Sequence, residues 1–597
     1  MCGYILEVSS DLTNKDHFMK SNSFLVCRGP DDLRHEIKNF NEYKLQAIFN
    51  RLAIQDLSEN AMQPMFLNNH SKGIFFNGEI YNFKELKNKY FKDSKQFKTK
   101  NSDSELLLFG LATFGIEFVH QLKGQFAIAY LDFEKNKMYL IRDRVGQKPL
   151  FYYLKNNRVI VSSNLKSIVS LKNKFKLNKS AVVEYIQRGV VSSPNTIESD
   201  IYKLCPGQYI EIDLISKEIK KTKYWSIEDH FSDISFKEEE FLSILQKSIE
   251  YRLISDVPVS NFLSGGLDST ALLCLTSEKH NKINSFSIYS NNPKYDESRW
   301  IKEVLQKVKT NHTYDIIDNL ITFDIVEQSI EIFDEPYFDP SNVPSYVITK
   351  EMAKKFKVAI SGDGGDELLG GYERFFTEST FIKNLFSKLY IFYPSFLGTG
   401  NIFKKNSKNF DERYESYFDD LKFLNFLKIY PVETTPKKYL KDRQYLSSIQ
   451  KSFLLEYEFY LSEMMMLKVD RTSMANSLEV RSPFVDNDII EYIASTNLSV
   501  MKKENKKYIL KNYLSNFFSY EFINRQKKGF VFGLEDWVFS NKKIIIDQIL
   551  LLQKLNILNI GKYKLNILYL FKTRINAHRI FKLFILSKFI EDIEKKC

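Results

Sequence analysis

The chain has 597 residues, with 85 Lys+Arg against 74 Asp+Glu and a formal net charge of +11. That length exceeds what one hydrophobic core serves and predicts two domains, while a modest positive charge spread along the chain gives no indication of nucleic acid as a partner. Five cysteines without a Cys-x-x-Cys pair argue against structural zinc and a disulfide framework, and no charge-free apolar run of 18 residues predicts a membrane span, so the expectation is a cytoplasmic protein with reduced thiols.

The chain opens Met-Cys-Gly-Tyr-Ile-Leu-Glu, without the basic and apolar segments of a signal peptide. Removal of Met1 would leave Cys2 carrying a free α-amine and a thiol on one residue. An α-amine with a pKa near ~8 can serve as the base for its own side chain, so no catalytic histidine is required. Downstream, Arg28-Gly29-Pro30-Asp31 is a turn, and Asn50-Arg51-Leu52-Ala53-Ile54 places an arginine at the start of a strand. Asn77-Gly78-Glu79-Ile80-Tyr81-Asn82 follows the strand Ile74-Phe75-Phe76, and Ser102-Asp103-Ser104-Glu105 opens a helix.

Together with Cys2 these segments resemble the class II glutamine amidotransferase domains, the N-terminal-nucleophile hydrolases, over residues 2–207. The resemblance implies an α+β fold of two stacked antiparallel sheets between helix layers, assigned to residues 2–212. It implies that Cys2 attacks the glutamine side-chain amide, forms a thioester and releases ammonia. Asn77 and the Gly78 N–H would form the oxyanion hole, which needs neutral donors fixed in advance. Arg51 would clamp the glutamine α-carboxylate bidentately, and Glu79 and Asp103 would accept hydrogen bonds from its α-ammonium. Leu52, Ala53, Ile54 and Gln55 complete the expected glutamine contacts, Ile54 and Gln55 through their backbone. Four positions depart from the family: Cys27 and Phe49 stand where His is usual, Gln55 replaces an apolar residue and Asn164 an acidic one. None of these is a proposed catalytic group.

Residues 122–132 and 142–153 read as strand, turn, strand, and residues 213–233 as a polar, lysine-rich bridge without periodicity that separates the domains. The apolar run at 257–263 then feeds Ser264-Gly265-Gly266-Leu267-Asp268-Ser269-Thr270 and a second apolar run. A strand passing through paired glycines and hydroxyls into a helix aims several N–H groups and the positive helix end at one point, which suits a phosphate chain. Gly265 and Gly266 let backbone approach phosphate oxygens, Ser264, Ser269 and Thr270 add hydroxyl donors, and Asp268 can hold Mg²⁺. No Gly-x4-Gly-Lys-Ser/Thr occurs, which excludes the Walker-type loop.

Ser-Gly-Gly-x-Asp-Ser resembles the pyrophosphate-binding loop of the ATP pyrophosphatase family, whose members cleave ATP to AMP and pyrophosphate to activate a substrate. The resemblance implies that Ile288, with Phe262 or Leu263, lies against the adenine. Residues 283–289 form a second parallel-type strand and Tyr295-Asp296-Glu297-Ser298 opens the next helix, so a βαβ order and an α/β parallel sheet are expected. The acidic turns Asp334-Glu335-Pro336 and Asp339-Pro340-Ser341 could line an amino-acid site. Next, Val358-Ala359-Ile360 discharges into Ser361-Gly362-Asp363-Gly364-Gly365-Asp366-Glu367, at the carboxyl end of the sheet where ligands bind. Ser361 and Gly362 match ATP contacts, Asp363 matches an acidic residue of the acyl-adenylate step, and Asp366 is a second candidate magnesium ligand beside Asp268.

Residues 467–484 read as a helix running into a turn before Pro483 and resemble the equivalent segment of asparagine synthetases. Lys507 matches a basic residue over the phosphates, with Lys506 where the family usually has Gly, and residues 525–530 match a basic loop there. Beyond Trp537 the Lys- and Ile-rich tail predicts helices covering the synthetase domain, assigned to residues 235–597. The order of motifs resembles glutamine-hydrolysing asparagine synthetases over nearly the full length. That resemblance implies ATP and Mg²⁺ as cofactors, adenylation of a carboxylate, expected to be the β-carboxylate of aspartate, and its displacement by ammonia arriving through a mainly apolar channel. The motifs specify adenylation and ammonia supply more firmly than aspartate. Another acid, such as a sugar uronate, stays open as the acceptor, as does a homodimer.

Overall fold

The structure is a computed structural model. It describes residues 2–596 apart from 41, 68–69, 93–95, 173, 292–295, 318–320, 377–384, 386, 497, 499 and 527–531. Tyr295 and positions 527–530 of the basic loop lie outside the described residues.

The N-terminal half is built on two antiparallel six-stranded sheets. The first runs β10-β8-β9-β1-β3-β2, from β1 (Cys2–Ser9), β2 (Asp32–Asn39), β3 (Lys44–Arg51), β8 (Phe151–Lys155), β9 (Arg158–Ser162) and β10 (Ile201–Lys203). The second runs β12-β11-β7-β6-β5-β4, from β4 (Met65–Phe66), β5 (Lys72–Ile80), β6 (Gly124–Asp132), β7 (Lys137–Arg142), β11 (Gln208–Asp213) and β12 (Ile219–Lys223). Side-chain alternation sorts each inner strand between two cores. Tyr4, Leu6 and Val8 of β1 meet Phe75 of β5 between the sheets, while Ile5 turns out toward one helix layer. Ile74 and Phe76 of β5 turn toward the other, packing on helix Asp103–Phe114. Both sheets are therefore buried on two faces, which is why their central strands are apolar almost without interruption. The expected layered α+β fold is present.

The second half carries a parallel five-stranded sheet in the order β15-β14-β13-β16-β17, with β13 (Val259–Phe262), β14 (Asn284–Tyr289), β15 (Asn311–Ile316), β16 (Val358–Ile360) and β17 (Glu479–Arg481). β13 leads into helix Leu267–Lys279 and β16 into the short helix Gly365–Leu368, so the two glycine-rich turns sit side by side at the carboxyl edge. The rest of this half is mostly helical, and no helix among the described residues is long and apolar enough to cross a membrane.

Six local expectations are corrected. Arg51 ends β3 rather than starting a strand, and Asn77 and Gly78 lie within β5 rather than after it. Residues 122–153 contain three strands, because β7 returns along β6 before the turn into β8. The bridge at 213–233 includes β12, whose lysines suit a solvated sheet edge and whose pairing with β11 no periodicity disclosed. The segment at 467–484 is helix Met466–Met474 followed by strand β17, since three residues are too few to show an alternation. The last helix, Arg574–Lys596, does not cover the synthetase half alone: it packs on helix Lys179–Arg188 of the N-terminal half, where Tyr185 Oη donates to the Lys582 carbonyl at 2.9 Å.

Candidate functional site

Two sites are present, one in each half. In the first, antiparallel register sets Cys2 opposite Arg51, and the Cys2 backbone N–H donates to Asn77 Oδ1 at 3.1 Å. Asn77 Nδ2 is left as a buried donor with no hydrogen-bond partner among the described residues. Gly78 has φ 149°, and a Cβ there would lie 1.9 Å from the Gln125 carbonyl oxygen, so only glycine fits. Burial pushes the Cys2 thiol pKa up, opposed by the amino-terminal charge, the Leu52 N–H and Arg51.

Cys2, Arg51, Leu52, Ile54, Gln55, Gly78, Glu79 and Asp103 all line one small cavity. Ala53 stands outside it, its N–H given to Asp31 Oδ2 at 2.8 Å. Arg51 donates to the carbonyls of Ser58, at 2.9 Å, and Asp56. The Gln55 side-chain amide donates to Glu79, so a carboxamide of the chain itself occupies one of the two expected ammonium acceptors. Burial raises the pKa of Asp103 to about 6, although its carboxylate accepts from the Ile80 N–H at 2.9 Å.

In the second site, a cleft of about 520 Å³ opens over the carboxyl ends of β13 and β16. Phe262, Ser264, Gly266, Asp268, Ser269, Ser361, Gly362, Asp363 and Asp366 line it. Of the two candidate adenine neighbours, Phe262 faces the cleft while Leu263 is buried in the core behind it; Ile288 packs beside Phe262. Gly265 lies behind the rim with φ 74°, its carbonyl accepting from Arg525. Ser361 Oγ donates to Asp363 Oδ2 at 2.5 Å.

Lys507 is the hub of this site. Its Nζ lies 2.8 and 2.6 Å from the two Asp268 oxygens and 2.6 Å from Asp366 Oδ1. Burial alone would lower its pKa; the two carboxylates outweigh burial and hold it above the ordinary value, so it stays an ammonium. Lys507 also takes a left-handed backbone conformation, φ 54°, at the start of helix Tyr508–Ser515, a conformation uncommon outside glycine. Two carboxylates converging on one cation fit Mg²⁺, which takes one or two carboxylates and fills its shell with water and phosphate oxygens.

Two further groups in the cleft received no role from the sequence. Lys468 Nζ donates to Ser341 Oγ at 2.8 Å and lies 3.4 Å from Asp339, setting a cation and an anion side by side on one wall. Glu367 accepts from Tyr372 Oη at 2.7 Å, and burial, then Asp366, raises its pKa to about 7. Both lie inside quoted motifs, but only the folded contacts distinguish them from structural neighbours. The two expected acidic turns part company: Asp339 lines the cleft, whereas Asp334 is buried against Arg471, at 2.8 and 3.0 Å, and Glu335 is buried against Lys203, at 2.5 Å.

Between the sites Leu52 and Ile54 of the first half meet Val358 and Met474 of the second in a small apolar seam. Beside it lies a buried ion cluster in which Arg28 clamps Asp470 at 2.8 and 2.9 Å and approaches the Cys2 carbonyl at 3.4 Å. Lys148 and Arg471 complete the cluster around Asp470, at 3.8 and 2.7 Å. The junction between the sites is thus apolar on one side and ionic on the other.

A glutamine amidotransferase domain model matches residues 1–225 and the asparagine synthase model matches residues 240–562. Among similar proteins, a putative glutamine-hydrolysing asparagine synthetase 2 from Methanocaldococcus jannaschii is 36% identical over 396 residues, covering 62% of this chain and 76% of that protein. Glutamine-hydrolysing asparagine synthetase 1 from Bacillus subtilis is 27% identical over 565 residues, covering 90% of this chain and 88% of that protein.

Proposed function

The chain belongs to the asparagine synthase family, and from that premise we propose that it converts L-aspartate, L-glutamine, ATP and water into L-asparagine, L-glutamate, AMP and diphosphate through a β-aspartyl-AMP intermediate. The Cys2 thiol, freed of Met1, gives its proton to its own α-amine and attacks the glutamine carboxamide carbon. The α-ammonium passes that proton to the leaving nitrogen as the C–N bond breaks, ammonia leaves, and water cleaves the thioester to glutamate and the free thiol. Asn77 Nδ2 and the Gly78 N–H stabilise the oxyanion, a role supported by the buried donor that Asn77 leaves unused. Arg51 takes the glutamine α-carboxylate, and Glu79 and Asp103 its α-ammonium once the Gln55 side chain has moved aside.

In the cleft, Ser264, Gly266, Ser269, Ser361 and Gly362 cradle the phosphates, with Gly265 shaping the turn behind them and Phe262 and Ile288 along the base. Asp268 and Asp366 would hold Mg²⁺, which when bound neutralises phosphate charge. The aspartate β-carboxylate attacks the α-phosphorus beside Asp363, and diphosphate leaves against Lys507, a fixed positive charge where oxygen charge accumulates. Ammonia then attacks the acyl carbon and AMP leaves. The convergence of Lys507 with both aspartates carries the adenylation half of this reading.

Aspartate as acceptor rests on the Lys468 and Asp339 pair, opposite charges placed to receive the two ends of a zwitterion. A second reading, a larger acid such as a sugar uronate, is favoured by a polar chamber of about 340 Å³ that adjoins the cleft at Asp339 and Tyr460. Incubating the enzyme with ATP, Mg²⁺, glutamine and each acid in turn decides between them. Asparagine formed from aspartate with AMP in equal amount supports the first reading; amide formed only from the uronate supports the second.

A further inference from the structure

Arg481, the last residue of β17, is fully buried at the junction of the halves and touches both sites. Its Nη2 lies 3.3 Å from Glu79 Oε1 in the glutamine cavity, while Nε donates to Glu479 at 2.5 Å and Nη1 to the carbonyls of Arg252 and Ile254 at 2.8 and 2.7 Å. Its main chain faces the other way. The parallel register of β16 and β17 sets Arg481 beside Ile360, and the Arg481 carbonyl accepts from the Ser361 N–H at 3.0 Å, in the turn that receives ATP. The next residue repeats the link: Ser482 Oγ lies 3.3 Å from Ser361 Oγ.

The contact with Glu79 is the loose one of this set. Arg481 Nη2 approaches the carboxylate as an ion pair but makes no hydrogen bond among the described residues, so a buried donor is left unspent. Three of its four polar attachments are tight, and the one to the glutamine site is free to be re-aimed. We infer that Arg481 is a positioning residue for both half-reactions: its guanidinium aims Glu79 at the α-ammonium of glutamine, and its carbonyl holds the Ser361 turn, so glutamine occupancy is felt at the nucleotide. An arriving ammonium competes with the guanidinium for Glu79, and Arg481 turns further toward Glu479, moving the strand end to which Ser361 is bonded. Burial, and then the neighbouring Glu479, raises the pKa of Glu79, so a counter-charge at that carboxylate is in demand. Affinity linkage is reciprocal, so ATP changes glutamine affinity by the factor that glutamine changes ATP affinity.

This inference rests on Glu79 as a glutamine contact, and glutamate release by the wild-type enzyme, lost on Glu79→Gln, tests that contact separately. The coupling is read in Cys2→Ala protein, where glutamine binds without turnover, by titrating ATP with and without glutamine. The two affinities should differ by about fivefold or more, and the ratio should fall to one when Arg481→Met is added. In the otherwise wild-type enzyme, Arg481→Met should raise the glutamine KM about tenfold, more than it lowers kcat, with partial recovery in Arg481→Lys. An ATP affinity indifferent to glutamine, or an unchanged glutamine KM in a folded Arg481→Met enzyme, overturns the inference. Should that variant not fold, hydrogen exchange in Cys2→Ala protein gives the answer instead: glutamine alone should alter exchange at residues 358–363, and no change there overturns it.

Discussion

Asp103, the proposed acceptor of the glutamine ammonium, is a buried carboxylate in the cavity wall and carries a cost in stability. Its pKa of about 6 lies above the ordinary 3.8, so the folded chain holds this proton more tightly than the unfolded one. Its contribution to stability is therefore complete below about pH 4 and lost as pH rises through about 6, a loss of ~3 kcal/mol for a shift of ~2 units. Asp103→Asn, which cannot ionise, should be more stable than the wild type above pH 6 by up to that amount and should match it near pH 4. Thermal unfolding across pH 4 to 8 checks this, and a constant difference over that range would contradict it. Function runs the other way: only the ionised carboxylate accepts the substrate ammonium, so kcat/KM for glutamate release should fall as pH drops below about 6 and should be low at every pH in the variant. Residues such as Cys2, Asn77, Lys507 and Asp103 were legible in the sequence because each sits in a motif of distinctive composition. Their burial, and hence this pH behaviour, was not, since it comes from strands and helices far away in the chain.

At the scale of elements, the two glycine turns work because the strands carrying them are neighbours. A Cβ on Gly365 would stand 2.5 Å from Asp268 Oδ1, across the gap between the turn after β16 and the helix after β13. Gly365 opens a helix and its φ is not in the left-handed region, so alanine suits its backbone and the cost of the substitution falls on the Asp268 side chain. The methyl should push Asp268 off Lys507. Gly365→Ala is expected to raise the KM for ATP at least about tenfold while lowering the melting temperature only modestly; a large loss of melting temperature with no rise in KM would show that the glycine serves folding instead. The turns and their βαβ order could be read in advance because apolar runs and glycines mark them. β12 and β17 could not. One is a lysine-rich edge and the other three residues long, and each is a strand only because a neighbour pairs with it.

On the scale of the whole molecule, the two halves are joined by more than a linker. The apolar seam of Leu52, Ile54, Val358 and Met474, the Arg28 and Asp470 clamp, and the last helix packed on Lys179–Arg188 all cross the boundary. The order of domains and their chemistry could be read from the motifs, whereas the ionic side of the junction was not expected, because Arg28 and Asp470 are 442 positions apart and carry no pattern that pairs them. The proposed reaction needs ammonia to cross this junction without reaching water, where it would be protonated. The proposed reaction passes nitrogen from Cys2 to an acyl adenylate in the same molecule. Its most direct test supplies amide-¹⁵N glutamine with an excess of unlabelled ammonium, ATP, Mg²⁺ and the acid acceptor, then weighs the amide formed and identifies the nucleotide. The product should carry ¹⁵N, with one AMP released per amide; an unlabelled product, or ADP in place of AMP, would contradict that transfer.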